Sequence, residues 1–177
     1  MSIVLPGILV IGILLLATVQ IFDTVLKTAT DQGTSLTEAS AELSRRLRTA
    51  VSITSLSEEQ NAAGSDVTVV LKNSGAFSII QFSRMDVLVR YTTDPGALTV
   101  QRLSYVTGTP PANQWSLCSG SPLVCTISPD TYNPNILDSD ESATLTLRLE
   151  PQVKAATALT VVVVTPNGVY DSSTITT

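Results

Sequence analysis

Met1-Ser2-Ile3-Val4-Leu5-Pro6-Gly7-Ile8-Leu9-Val10-Ile11-Gly12-Ile13-Leu14-Leu15-Leu16-Ala17-Thr18-Val19-Gln20-Ile21-Phe22 opens the chain without one charged side chain. A surface helix of a soluble domain carries one apolar stripe and one polar face. This stretch has no polar face. At about 1.5 Å per residue it spans roughly 30 Å, the thickness of a bilayer's hydrocarbon core. Leaving about fifteen large apolar side chains in water would cost tens of kcal/mol, at ~1.5–3 kcal/mol each. That exceeds the net stability of a typical domain. The segment therefore requires lipid or a surround of protein, and the rest of the chain is read around that need.

A removable secretory signal would have a basic start, an apolar run of about 7–15 residues and a small-residue cleavage site. Met1-Ser2 offers no Lys or Arg, and no small-x-small site precedes Asp23-Thr24-Val25-Leu26-Lys27. A plain membrane anchor fits by length but lacks the aromatic belt and basic flank that orient such anchors. A basic leader removed before Met1 would account for the missing positive charge.

All 25 charged residues lie beyond Phe22, in a segment rich in Ser, Thr, Val and Asn. With 10 Lys plus Arg against 15 Asp plus Glu, the net charge is -5, which disfavours nucleic acid as a partner. Histidine is absent, and with it the commonest general base and metal ligand. The sequence has no Gly-rich phosphate loop, GxSxG elbow, HExxH or CxxC pair. An enzyme is not expected, nor a cofactor. Cys118 and Cys125 are close enough in a loop-like stretch for one small disulfide, which implies an oxidising compartment. Asp138, Asp140 and Glu141 could offer oxygens to Ca²⁺, but they lack the spacing of an EF-hand loop and read better as a solvated turn.

The helical reading runs on past Phe22. Leu26, Ala29, Leu36, Ala39, Leu43, Leu47 and Ala50 recur at three- and four-residue steps. Glu38 and Glu42 precede Arg45, Arg46 and Arg48 at spacings that allow charge pairs on the helix surface or with another copy of the chain. Gly33, after Asp31-Gln32, marks an expected bend. The helix is expected to fade between Val51 and Ser57, giving way to a linker that ends at Gly64.

From Asp66 the period becomes two. Expected strands are Val67–Leu71, Phe77–Phe82, Met85–Tyr91, Leu98–Val106, Thr144–Leu149, Leu159–Val164 and Val169–Thr176, with cysteine-bearing Trp115–Val124 between them. Asn73-Ser74-Gly75, Asp94-Pro95-Gly96 and Pro166-Asn167-Gly168 supply turns. Seven or eight short strands at this spacing indicate a sandwich. The fold class is α+β: a long N-terminal hydrophobic helix over residues 1–57, then an Ig-like antiparallel β-sandwich head over 58–177.

This layout resembles the class III signal-peptide proteins within the type IV pilin-like superfamily, and among them the archaellins, subunits of the archaeal-type swimming filament. Ile3 to Phe22 looks like the archaellin filament-core helix. Lys72-Asn73-Ser74-Gly75 is similar to the family's Asn-x-Gly strand end, and Val163-Val164-Thr165-Pro166-Asn167-Gly168-Val169 to its C-terminal strand pair. Bacterial type IV pilins typically place Phe first and Glu fifth, where this chain has Met1 and Leu5. The resemblance implies an extracellular, cell-surface homopolymer whose subunits rest in the membrane before assembly machinery builds them into the filament. It implies a polymerisation core of Ile3, Val4, Leu5, Ile8, Leu9, Ile11, Ile13, Leu14, Leu15, Leu16, Val19, Ile21 and Phe22. The rival readings are a membrane-anchored, stator-like accessory protein of the same machinery and a pilin-like adhesion subunit.

Overall fold

The structure is a computed structural model that describes residues 4–61, 64–120 and 124–177, with the side chains of 4–13 and 119 left out of the description. Ile3 and residues 121–123 lie outside the described residues. The chain divides into two compact units, Met1–Leu43 and Ser44–Thr177.

Helix α1 runs Val4–Arg48, 45 residues. Pro6 lies in its first turn, where a missing N–H forfeits no intrahelical bond. Gly33 does not interrupt it, and the helix is continuous through that residue. The hydroxyls of Thr18, Thr24, Thr28, Thr30, Thr34 and Thr37 each donate to the carbonyl four residues earlier, at 2.7–3.0 Å. These threonines therefore satisfy their donors on their own helix.

Eleven strands follow among the described residues: β1 Val51–Asn61, β2 Gly64–Asn73, β3 Asp86–Thr92, β4 Leu98–Tyr105, β5 Gln114–Ser116, β6 Cys118–Ser119, β7 Val124–Cys125, β8 Ile127–Ser128, β9 Ser142–Leu149, β10 Ala158–Val164 and β11 Tyr170–Thr176. The main path is β1-β2-β9-β5-β4-β3-β10-β11, with β8 added beside β9 and a separate β6–β7 pair. It folds over on itself into a sandwich that approaches a barrel. Asp171 on β11 accepts the Ile53 amide of β1 through Oδ2 at 2.7 Å, so the two ends of the path meet. Pairing is antiparallel except between β4 and β5, which are parallel, a departure from the all-antiparallel expectation.

The alternation seen in the sequence sets the core. Val67, Val69 and Leu71 of β2 face inward beside Leu147, Leu145 and Ala143 of β9. Val87 and Val89 of β3 lie beside Val163 and Val161 of β10. Trp115 is fully buried and meets the Tyr105 ring edge-on at 4.8 Å. Such inward rows exclude water from both faces at once, which gives the head its own core.

Three further expectations are corrected. Val51–Asn61 is neither helix nor linker but a strand paired with β2 in a hairpin, so the 57/58 division falls inside β1. Its polar Ser55–Gln60 run disguised it, because only the backbone ladder and one face are used. Phe77–Phe82 is no strand: Ile79 makes a single bridge to Leu137, and Phe82–Arg84 is a 3-10 turn. Ile79 and Phe82 are buried all the same, so apolarity there reports the core and not a ladder. The third correction concerns the acidic turn, described below.

Candidate functional site

The first candidate surface is the helix. Leu14, Leu15, Leu16, Val19, Ile21 and Phe22 are between 61% and 67% exposed. These are six of the residues expected to form a polymerisation core; the side chains of Val4, Leu5, Ile8, Leu9, Ile11 and Ile13 lie outside the described ones. Exposure continues well past the uncharged run: Val25, Leu26, Leu36, Leu43 and Leu47 are exposed too, Leu47 at 78%. Isolated exposed leucines are ordinary, but the dense exposed cluster from Leu14 to Leu26, followed by Leu36, Leu43 and Leu47, marks an interaction face. Among the described residues, no helix is long and apolar enough to cross a membrane.

The second candidate surface is the joint at the end of the helix, within Ser44–Thr177. A helix leaves its last carbonyls without intrahelical partners. Here the head's backbone caps them. The Arg48 carbonyl accepts the amides of Ala76 and Phe77 at 2.8 and 3.2 Å, and the Ala50 carbonyl accepts those of Ser74 and Gly75 at 2.9 and 3.0 Å. Thr49 is buried and donates its hydroxyl to the Arg45 carbonyl at 2.8 Å.

Asn73 shapes that cap. Fully buried, it donates its amide to the carbonyls of Phe77 and Leu137, at 2.9 and 3.0 Å, and accepts the Gly75 amide at 3.1 Å. Gly75 is required by contact: a Cβ there would stand 2.3 Å from the Ala50 nitrogen and 2.5 Å from the Arg48 oxygen. Across the joint, the Thr165–Val169 turn carries Asn167 and Gly168, the latter at φ +77°. The two short motifs that carry the archaellin resemblance thus converge on the last turn of the helix. Sequence reading placed both in turns and missed Thr49, which accepts the Asn167 amide.

Asp138 and Glu141 are buried, which corrects the solvated-turn expectation. Glu141 accepts the backbone amides of Thr131 and Asp138 at 2.9 and 3.0 Å. Asp138 accepts the Ser78 hydroxyl and the Asn133 amide. The Ser78 hydrogen bond, with help from Asn133, holds the Asp138 carboxyl below its ordinary range. Asp140 stays exposed, 3.2 Å from Lys72. These oxygens already serve as acceptors for the chain, and among the described residues no group of three His, Cys, Asp or Glu side chains is placed to hold a metal. Cys118 and Cys125 are joined by a disulfide across the β6–β7 pair.

A family model described as archaeal-type flagellin matches residues 7–175. Among solved structures, the archaeal flagellum of Methanospirillum hungatei strain JF1 is similar at 14% identity and a TM-score of 0.55, over 99% of this chain and 93% of that one. The archaellum periplasmic stator protein FlaG from Sulfolobus acidocaldarius is similar at 18% identity and a TM-score of 0.50, over 72% of this chain and 99% of that one. At these identities the likeness is one of fold. Among curated proteins, none matches.

Proposed function

The chain belongs to the archaeal-type flagellin family, and from that premise we propose that it is the structural subunit of an extracellular swimming filament, polymerising through α1. One observation carries the reading: apolar side chains are exposed along α1 from Leu14 to Leu47. The 45-residue helix is about 68 Å long, more than twice a bilayer's ~30 Å core. A lipid anchor would account for one part of that surface; a bundle of sister helices accounts for all of it. This favours the filament over a membrane-anchored accessory protein of the stator kind.

Before assembly the uncharged stretch rests in lipid, and on assembly it moves among copies of itself. Both surroundings are dry, so the hydrophobic gain of the exchange is small, and helix packing and contacts between heads decide the equilibrium. Contacts repeated head to tail without closing give a helical polymer. Electron microscopy of the purified native protein tests this directly. Filaments are expected; discrete detergent-soluble particles under every assembly condition would overturn the reading.

A further inference from the structure

The charges of α1 are sorted along its length. The described part of the uncharged run comes first; Asp23, Lys27, Asp31, Glu38 and Glu42 follow, net acidic; Arg45, Arg46 and Arg48 end the helix. Asp31, Glu38, Arg45 and Arg48 are all exposed, and so are the leucines between them, Leu36, Leu43 and Leu47. Lys27 is paired within its own helix to Asp23, at 3.1 Å.

We propose that this charged half of α1 is itself an interface to a second copy, and that its charge order sets the axial displacement between copies. The proposal rests on the filament reading, since one subunit repeated by a screw keeps every helix pointing the same way. Two parallel helices in register would set arginine against arginine and carboxylate against carboxylate. That arrangement is repelled. Sliding one copy by seven residues sets Arg45 opposite Glu38 but also Glu38 opposite Asp31; sliding it by fourteen sets Arg45 opposite Asp31 and leaves Glu38 and Glu42 facing Thr24 and Thr28, the better match. Those shifts are about 10 and 21 Å at the helical rise. The sequence of charges therefore penalises a flat ring of level subunits and favours a stepped array, in which each copy's basic turn meets its neighbour's acidic stretch. The threonines between Thr18 and Thr37 make no competing demand, because their hydroxyls are bonded to their own helix.

The test is a charge-swap cycle on the full chain, read as filament mass by sedimentation and microscopy. Asp31→Arg and Arg45→Glu should each lower filament yield about tenfold or more, by setting like charges together. The double variant D31R/R45E should recover most of the loss. Melting of the head, followed in parallel, identifies any variant that is merely unfolded, and the cross-link below then carries the test. In filaments of Arg45→Lys, mixed from isotopically light and heavy subunits, a zero-length carbodiimide link is expected between copies from position 45 to Asp31. Normal filaments from both single variants, a double variant as poor as the singles, or no such intermolecular link would overturn the proposal while leaving the filament reading intact. A wild-type chain that forms no filament would overturn both.

Discussion

The side-chain amide of Asn167 donates to the Thr49 hydroxyl at 2.8 Å, joining the turn between the last two strands to the end of the helix across 118 residues of sequence. The same hydroxyl donates onward to the Arg45 carbonyl, so one threonine links turn and helix by two hydrogen bonds in series. The joint is a site where backbone and short polar side chains hold two elements in one arrangement.

Gly75→Ala should damage that joint. The added methyl has backbone atoms of Arg48 and Ala50 within 2.5 Å, and neither is a flexible side-chain tip. Overpacking of this kind costs about 1–3 kcal/mol. Thermal unfolding of the head should show the loss, and protease cleavage near residues 48–50 should quicken. An unchanged melt with unchanged cleavage would mean the cap is not needed.

Leu14→Lys should abolish filaments while the head melts as in the wild type. A lone ammonium inside a dry helical bundle costs several kcal/mol, and Leu14 makes no part of the head's core. Normal filaments from this variant would place the opening helix outside the polymer's interior.

Acid should weaken the head through Asp138. Its folded carboxyl is held below the ordinary value by Ser78 and then Asn133. The stabilisation is therefore complete above the unfolded value near pH 4 and is lost as pH falls through the lower folded one. Asp138→Asn should melt lower than wild type at neutral pH, with the gap narrowing on acidification. A gap constant from pH 7 to about pH 2 would contradict this account.

Replacing Cys118 and Cys125 together with alanine removes a cross-link that closes a loop of seven residues' separation. A loop this short is worth about 2 kcal/mol in the chain-entropy account. The head should melt a few degrees lower and remain folded, because β8, β9 and Trp115 hold their places through the sheet and core. Complete unfolding in the double variant would show that the loop organises more of the head than its own hairpin.

Most of this architecture was legible because two periods dominate the sequence. The apolar opening and the three- and four-residue spacing of Leu26 to Leu47 gave the helix, and the alternation Thr144-Leu145-Thr146-Leu147 gave a strand whose alternate residues are buried. What escaped was set by partners distant in sequence. Ser55–Gln60 forms a strand because β2 lies beside it, although its residues carry no strand pattern. Glu141 is buried because the amides of Thr131 and Asp138 turn toward it, a matter of backbone direction that composition does not encode. The joint was half legible: its asparagines and glycines stood out as turn residues, but the contact of Asn167 with Thr49 is a property of the folded chain.

The Asp171–Ile53 contact has a consequence for heads crowded on a polymer. A sheet that ends in free amides is a template for further strands, and crowding raises that hazard. Here a carboxylate from one end of the path occupies an amide at the other, 2.7 Å away, where a foreign strand would begin to pair. Asp171→Ala frees that amide, and its heads are expected to aggregate sideways more readily, read as light scattering of the purified chain.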